Sequence, residues 1–167
     1  MPARDLPAAA HAFDAIADSF DDRFRPWRSV AAQRRAVHRA LAKAFPSGSR
    51  LLEIGGGTGD DALWLADRAR EVLMTDASPA MVQIAAAKFN GRPGALAQVA
   101  AAEALVALAD QRERERAPLF DGAYSNFAGL NCVTDLSRSP VGSPGWSGPA
   151  RRCCWWCSGP SARARCW

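Results

Sequence analysis

The sequence has no apolar run of about 18 residues, the length that a membrane-spanning helix requires. Residues 1–20 carry acidic side chains where a secretory signal peptide needs an uninterrupted apolar segment. The 167 residues suffice for one domain with a core and are too few for two comfortable ones. We therefore expect a single-domain, soluble, cytoplasmic protein that has no membrane partner.

Acidic residues are absent from Arg138 onward, where five arginines lie. The residues before Arg138 hold 16 basic and 17 acidic side chains, so the net charge of +4 arises entirely in the tail. Four of the five cysteines and four of the six tryptophans also lie in the tail. Because the basic charge is confined to this segment, it does not predict a nucleic-acid partner.

Apolar residues at helical spacing predict helices over residues 11–45, with a break around Pro26. Short apolar strands then alternate with helices: strands are predicted after Arg50, over Val72–Thr75, weakly near residue 97, and over Gly122–Ser125. Strands that alternate with helices in this way favour parallel pairing with right-handed crossovers. The sequence therefore predicts an α/β, doubly wound fold with a mostly parallel sheet.

The segment LLEIGGGTGDDA, Leu51–Ala62, predicts a strand, a glycine turn and a helix. Such a turn brings unpaired backbone N–H groups close to a ligand, as nucleotide sites require. A phosphate-binding P-loop is excluded, because no lysine occurs between Lys43 and Lys88. A dinucleotide fingerprint from Gly57 to Ala62 is formally possible, so an NAD(P)-dependent oxidoreductase stays an alternative.

Three carboxylates surround this turn, from Glu53, Asp60 and Asp61. They would repel a pyrophosphate, whereas a cationic ligand would complement their charge. The segment Glu53-Ile54-Gly55-Gly56-Gly57-Thr58-Gly59 resembles the first motif of the class I S-adenosylmethionine-dependent methyltransferases, an acid followed by Gly-x-Gly-x-Gly. The resemblance implies a Rossmann-like methyltransferase fold and S-adenosylmethionine as the cofactor.

The resemblance continues over residues 13–136. Asp76 stands 19 positions after Gly57, where the family places an acid that accepts hydrogen bonds from both ribose hydroxyls, and TDASPAM is similar to the family's continuation. FDAIADSFDDRF resembles the N-terminal lid helix of small-molecule methyltransferases of the quinone-biosynthesis type. The cofactor-binding residues that the family motifs imply are Glu53, Gly55, Gly57, Gly59, Asp76, Ala77, Ala102, Glu103 and Asn126.

No residue qualifies from the sequence as a catalytic base, and the sulfonium of the cofactor is already an activated leaving group. His11 and His38 are expected on helix faces without a catalytic role, and Cys132 as a plain buried thiol. The resemblance implies a small-molecule methyl acceptor, whose identity and mode of methylation the sequence does not define. A binding module that retains the cofactor fold without catalysis is the non-enzyme alternative. The oligomeric state is not predicted.

The tail holds the unusual segment RRCCWWC, residues 151–157. It lacks the paired Cys-x-x-Cys halves and the histidines of a zinc site, and it is too short and too polar for a membrane anchor. A disulfide knot would require an oxidising compartment, which the expected cytoplasmic location does not provide. Because the spacing and the histidines of a zinc site are missing, we predict no metal site.

Codons give the tail a different explanation. Cysteine is TGY and tryptophan is TGG, so codons 152–158 read from the third base spell an apolar strand of Leu, Val and Phe or Leu. The hypothesis is that residues from about Arg138 onward are a frame-shifted translation and that the fold is incomplete after its fourth strand. The domain prediction is then a lid over residues 1–45, a cofactor-binding core over 46–137 and an aberrant, disordered tail over 138–167. Low stability and little activity are expected of the chain as written.

Overall fold

A computed structural model describes residues 8–126 together with the backbone of Arg152–Trp155 and Arg165–Cys166. Three N-terminal helices come first: α1 (Ala8–Asp14), α2 (Ala17–Phe24) and α3 (Arg28–Ala44). Strands and helices then alternate as β1 (Arg50–Ile54), α4 (Asp60–Ala66), β2 (Glu71–Asp76), α5 (Pro79–Phe89), β3 (Ala95–Val99), a 3₁₀ turn (Ala102–Ala104), α6 (Leu105–Arg114) and β4 (Gly122–Ser125).

The sheet has the strand order β3-β2-β1-β4, and all of these neighbours are parallel. Alternate residues of the strands face opposite sides, as the period of two in a strand requires. Leu51 and Val72 pack with α3, α4 and α5 on one face, while Leu52 and Leu73 pack with α6 on the other. Helices on both faces of a parallel sheet confirm the doubly wound, Rossmann-like class.

The order of the sheet reverses between β1 and β4, because β2 and β3 lie to one side of β1 and β4 lies to the other. At such a switch point the loops that follow neighbouring strands diverge to opposite faces of the sheet. They leave a crevice outside the carboxyl ends of the strands. The glycine turn follows β1, so the fold places it at this crevice.

Within the described residues, the alternation of strand and helix extends to β4, in agreement with the expectation that the fold is incomplete after its fourth strand. Two short tail segments follow: β5 (Arg152–Trp155) pairs parallel with β4, and β6 (Arg165–Cys166) pairs antiparallel with β5. The backbone of β5 thus extends the sheet beyond β4, and β6 extends it beyond β5. The rest of the 138–167 prediction lies outside the described residues.

The predicted N-terminal lid helix consists of two helices. The chain leaves helical geometry after Asp14, and Ile16 adopts a backbone ψ of 0° before α2 begins at Ala17. The break directs the Asp14 carboxylate to the start of α5, where it accepts hydrogen bonds from the Ser78 hydroxyl and, at 3.0 Å, from the backbone N–H of Ala80. The lid is therefore fastened to the core by a side chain at its own break.

Candidate functional site

The glycine turn has a backbone conformation that requires glycine at several positions. Gly55, Gly57 and Gly59 have φ values of 68°, 57° and 80°, in the left-handed region that favours glycine. The backbone N–H groups of Gly55 and Gly56 donate to the carbonyl of Thr75 at 2.8 and 3.1 Å. These bonds fix the turn to the end of β2, next to Asp76.

Asp76 is oriented by backbone donors on both sides. Its Oδ2 accepts from the N–H of Gly57 at 2.8 Å, and its Oδ1 accepts from the N–H of Ser78 at 2.9 Å. Burial raises the pKa of Asp76, and its hydrogen bonds to the backbone of Ser78, Gly57 and Ala77 offset part of that rise. Each carboxylate oxygen has further lone pairs, so Asp76 can still accept from hydroxyl groups of a ligand.

A second group of polar side chains lies where β1 and β4 end. Glu53 and Asp61 are buried, with 1% and 5% of their surface exposed. Asp61 accepts from the Asn126 amide at 2.6 Å, and its other oxygen lies 2.8 Å from Nε2 of His38. The His38 ring stacks on Trp64 with 4.0 Å between centroids. Two carboxylates and an amide are thus brought together beside the glycine turn.

A cavity of about 420 Å³ connects these groups with the N-terminal helices. It is lined by eight of the nine residues that the family motifs imply: Glu53, Gly55, Gly57, Asp76, Ala77, Ala102, Glu103 and Asn126. Gly59 lies outside the lining. A Cβ built on Gly59 would come within 2.7 Å of the Phe89 ring and 2.8 Å of the Ala85 methyl group, so Gly59 allows α4 and α5 to pack closely.

The opposite wall of the cavity is apolar and comes from α1 and α2, where Phe13, Phe20 and Phe24 line it. Their rings contact one another in sequence, with centroids 6.3 and 4.8 Å apart. Asp21, on the same wall, accepts from the Thr58 hydroxyl at 2.7 Å and lies 2.6 Å from Nζ of Lys88. The N-terminal helices therefore form one wall of the cavity, and Asp21 ties them to the glycine turn and to α5.

The start of α4 is charged and paired. Asp60 forms ion pairs with Lys88 at 2.7 Å and with Arg34 at 2.8 Å, and a third with Arg25 at 3.3 Å. Burial opposes ionisation of Asp60, but these cations hold its pKa below the ordinary value. Paired acidic and basic side chains therefore lie at the edge of the cavity, between the glycine turn and the N-terminal helices.

Sequence reasoning did not predict two contacts next to this site. His38 lies on α3, in agreement with its expected place on a helix, and its part-buried contacts with Asp61 and Trp64 were not predicted. Asp14 and its bond to the start of α5 depend on the break between α1 and α2, which no local pattern indicates. Residues 8–126 contain no group of three or more metal-ligating side chains and no helix long and apolar enough to cross a membrane.

Comparison with known proteins gives the family. The family model described as "Methyltransferase domain" matches residues 22–133. A search of curated proteins found no match. Among solved structures, the chain is similar to a complex of DhpI with SAM and HEP, at 16% identity and a TM-score of 0.58, over 90% of this chain and 65% of that one.

Two further structures have the same fold. A TehB-like SAM-dependent methyltransferase from Corynebacterium glutamicum is 19% identical, with a TM-score of 0.57 over 87% of this chain and 74% of that one. YcgJ from Bacillus subtilis is 21% identical, with a TM-score of 0.50 over 65% of this chain and 42% of that one. The chain thus spans less than half the length of YcgJ. The match to the family model covers most of the chain, which therefore belongs to the methyltransferase-domain family, the class I S-adenosylmethionine-dependent enzymes that its glycine turn resembles.

Proposed function

We propose that this chain transfers the methyl group of S-adenosylmethionine to a small-molecule acceptor that binds beneath the N-terminal helices. The observation that carries the proposal is the cavity, which extends from the glycine turn to an apolar wall of phenylalanines within one chain. Its volume of about 420 Å³ suits small ligands. A macromolecular acceptor would have to present its reactive group through the lid.

The residues of the cavity fit the cofactor in charge and in hydrogen bonding. Asp76 accepts a backbone hydrogen bond on each oxygen, at 2.8 and 2.9 Å, and its remaining lone pairs can accept from ribose hydroxyls. Oε2 of Glu53 is buried and has no hydrogen-bond partner among the described residues, so it suits the positively charged methionine end of the cofactor. A pyrophosphate in the same place would meet the Asp61 carboxylate.

The remaining lining residues divide between the two ends of the cofactor. Ala77, Ala102 and Glu103 follow the ends of β2 and β3, and we place the adenine there. Glu53 is the second-to-last residue of β1 and Asn126 follows β4, and we place the methionine group there. When bound, the cofactor supplies an electrophilic methyl group on a sulfonium. The chain contributes enclosure and orientation, which are large terms in a direct displacement.

The aromatic wall of the cavity is the proposed binding surface for the methyl acceptor. Phe13, Phe20 and Phe24 present ring faces and edges, which favour a planar or largely apolar acceptor. Replacing Phe20 with alanine is expected to raise the KM for such an acceptor severalfold and to leave S-adenosylhomocysteine binding nearly unchanged, because Phe20 lies on the lid wall. Steady-state kinetics and calorimetry separate these effects.

The acceptor class is tested with radiolabelled cofactor and three pools: small aromatic hydroxyl and amine compounds, total RNA, and denatured protein. Label in the small-molecule pool supports the proposal. Label in RNA or protein alone contradicts it. Cofactor binding without transfer to any pool favours a binding module that has lost catalysis.

We also propose that the chain as written has low activity, because residues from about Arg138 onward are a shifted translation. The codons that spell an apolar strand in the shifted frame include those of β5, which lies where the sheet continues past β4. Restoring the shifted frame is expected to raise both the melting temperature and the transfer rate. A restored protein with neither gain, or an intact frame through codons 130–145 in closely related genes, would refute this explanation.

A further inference from the structure

We propose that the site holds one proton on Glu53 when the cofactor is absent, and that the ammonium group of the cofactor displaces this proton when it binds. Cofactor binding would then be linked to proton release. The inference rests on the proposed position of the methionine end beside Glu53. It adds a property that the cofactor assignment alone does not require.

The first observation is the isolation of the Glu53 carboxylate. Only 1% of the residue is exposed, and Oε2 accepts no hydrogen bond from any described residue. The Tyr124 hydroxyl is near the carboxylate but is likewise without a partner in hydrogen-bond geometry. A buried carboxylate oxygen that no donor reaches in good geometry is costly in its charged form, and a proton removes that cost.

The second observation is that the neighbouring carboxylate, Asp61, has several polar contacts. One oxygen of Asp61 accepts from the Asn126 amide at 2.6 Å, and the other lies 2.8 Å from Nε2 of His38. Arg34 also lies 3.8 Å from Asp61. The negative charge of Asp61 disfavours a second charge on Glu53, which has fewer polar contacts. The pair therefore places its proton on Glu53.

Every element packed around Glu53 contributes to this balance. The titratable or charged groups that act on it come from α3, α4, β2 and β4: Arg34, Asp61, Asp76 and Tyr124. Burial, followed by the charge of Asp61, raises the pKa of Glu53 well above its ordinary value, and Tyr124 and Arg34 lower it only in part. Arg34 is itself ion-paired with Asp60 at 2.8 Å.

Binding of the cofactor exchanges the proton on Glu53 for the ammonium group of the cofactor. The cofactor enters with its amino group as ammonium, Glu53 becomes a carboxylate beside it, and the Glu53 proton passes to the buffer. Binding thus lowers the pKa of Glu53. The affinity is greatest above the pKa of Glu53 in the free protein, and it falls as the pH drops through that value toward the lower pKa of the complex. The slope reaches at most tenfold per pH unit.

The test is calorimetric titration of the full chain with S-adenosylhomocysteine, which carries the same amino-acid group. Each titration is run at the same pH in phosphate and in bis-Tris, two buffers that accept a proton in this range and differ in ionisation enthalpy, from about pH 5.5 to pH 7.5, where an amino group stays charged. The difference between the two binding heats, divided by the difference between the buffer ionisation enthalpies, gives the number of protons released. We expect up to one proton per site, and we expect the affinity to rise with pH. Binding with equal heats throughout this range would overturn the proposal.

Three variants test whether Glu53 is the residue that releases the proton. Glu53→Gln removes the ionisable group and keeps its shape, so we expect no proton release and an affinity that does not change with pH. Asp67→Asn is the matched control, because Asp67 is an exposed carboxylate paired with Arg92, and it should keep full release. His38→Gln retains a donor near Asp61 and should also keep it. Release that disappears in His38→Gln and persists in Glu53→Gln would place the proton on His38 and overturn the proposal.

The titrations distinguish a failure of the Glu53 proposal from a failure of the cofactor assignment. Should Glu53→Gln not fold, the heats of the natural sequence in the two buffers still decide whether a proton is released. Tight binding without proton release contradicts the Glu53 proposal alone. An absence of S-adenosylhomocysteine binding by the natural sequence contradicts the proposed function and this inference together.

Discussion

Replacement of Asp76 by alanine is expected to weaken S-adenosylhomocysteine binding about 100-fold. The variant loses the acceptor for two ribose hydroxyls, and hydrogen bonds to a charged group contribute about 1.5 kcal/mol each. It also loses the bonds that Asp76 accepts from the backbone of Gly57 and Ser78, which orient the glycine turn. Calorimetric titration of the full chain measures the effect directly.

Two matched variants make this result specific. Asp76→Asn keeps one acceptor oxygen and is expected to show an intermediate loss of affinity. Asp67→Ala removes an exposed carboxylate at the end of α4 and should bind normally. Normal binding by Asp76→Ala would show that the ligand does not contact the end of β2.

The second large effect concerns folding. Gly59→Ala is expected to destabilise the chain by about 3 kcal/mol, from left-handed backbone strain and from overpacking. Gly59 has φ of 80°, and its new methyl group would lie 2.7 Å from the Phe89 ring and 2.8 Å from the Ala85 methyl group. Those two side chains belong to α5, which packs on β2 and β3, so relief requires a shift of the helix. Urea denaturation with an unchanged slope measures the loss.

Gly48→Ala is the control for strain alone. Gly48 has φ of 84°, but a methyl group there meets no atom within 4 Å. We therefore expect a loss of only about 1 kcal/mol. Equal losses in the two variants would mean that close packing at Gly59 contributes nothing.

The sequence was informative wherever the function depends on backbone shape. The apolar segment before Glu53, the glycines after it and Asp76 after the next strand predicted the turn, its position in the sheet and its cofactor class. These features are local, because each strand and turn is encoded by adjacent residues. Eight of the nine predicted residues share one cavity for this reason.

The parts that the sequence did not predict depend on contacts between distant segments. His38 and Asp61 are 23 positions apart, and they meet only because α3 packs against the start of α4. The break after Asp14 is similarly explained by its bond to α5, 66 positions away. The close packing of Gly59 against α5 was likewise not predicted, and its contact with the cofactor stays a prediction.

The tail shows another limit of local patterns. RRCCWWC has no strand period, yet the backbone of Arg152–Trp155 pairs with β4. An exposed strand edge presents unpaired N–H and C=O groups to any segment that can extend beside it. Pairing of this kind depends on the free edge of β4 more than on the side chains of the tail, so periodicity could not predict it.

The central claim is that the crevice at the end of β1 binds S-adenosylmethionine. Parallel calorimetric titrations of the full chain with S-adenosylhomocysteine and with NAD test it most directly. We predict saturable binding of S-adenosylhomocysteine at one site and no binding of NAD, because the Asp61 carboxylate lies beside the glycine turn and would repel a pyrophosphate. Binding of NAD without binding of S-adenosylhomocysteine would contradict the account.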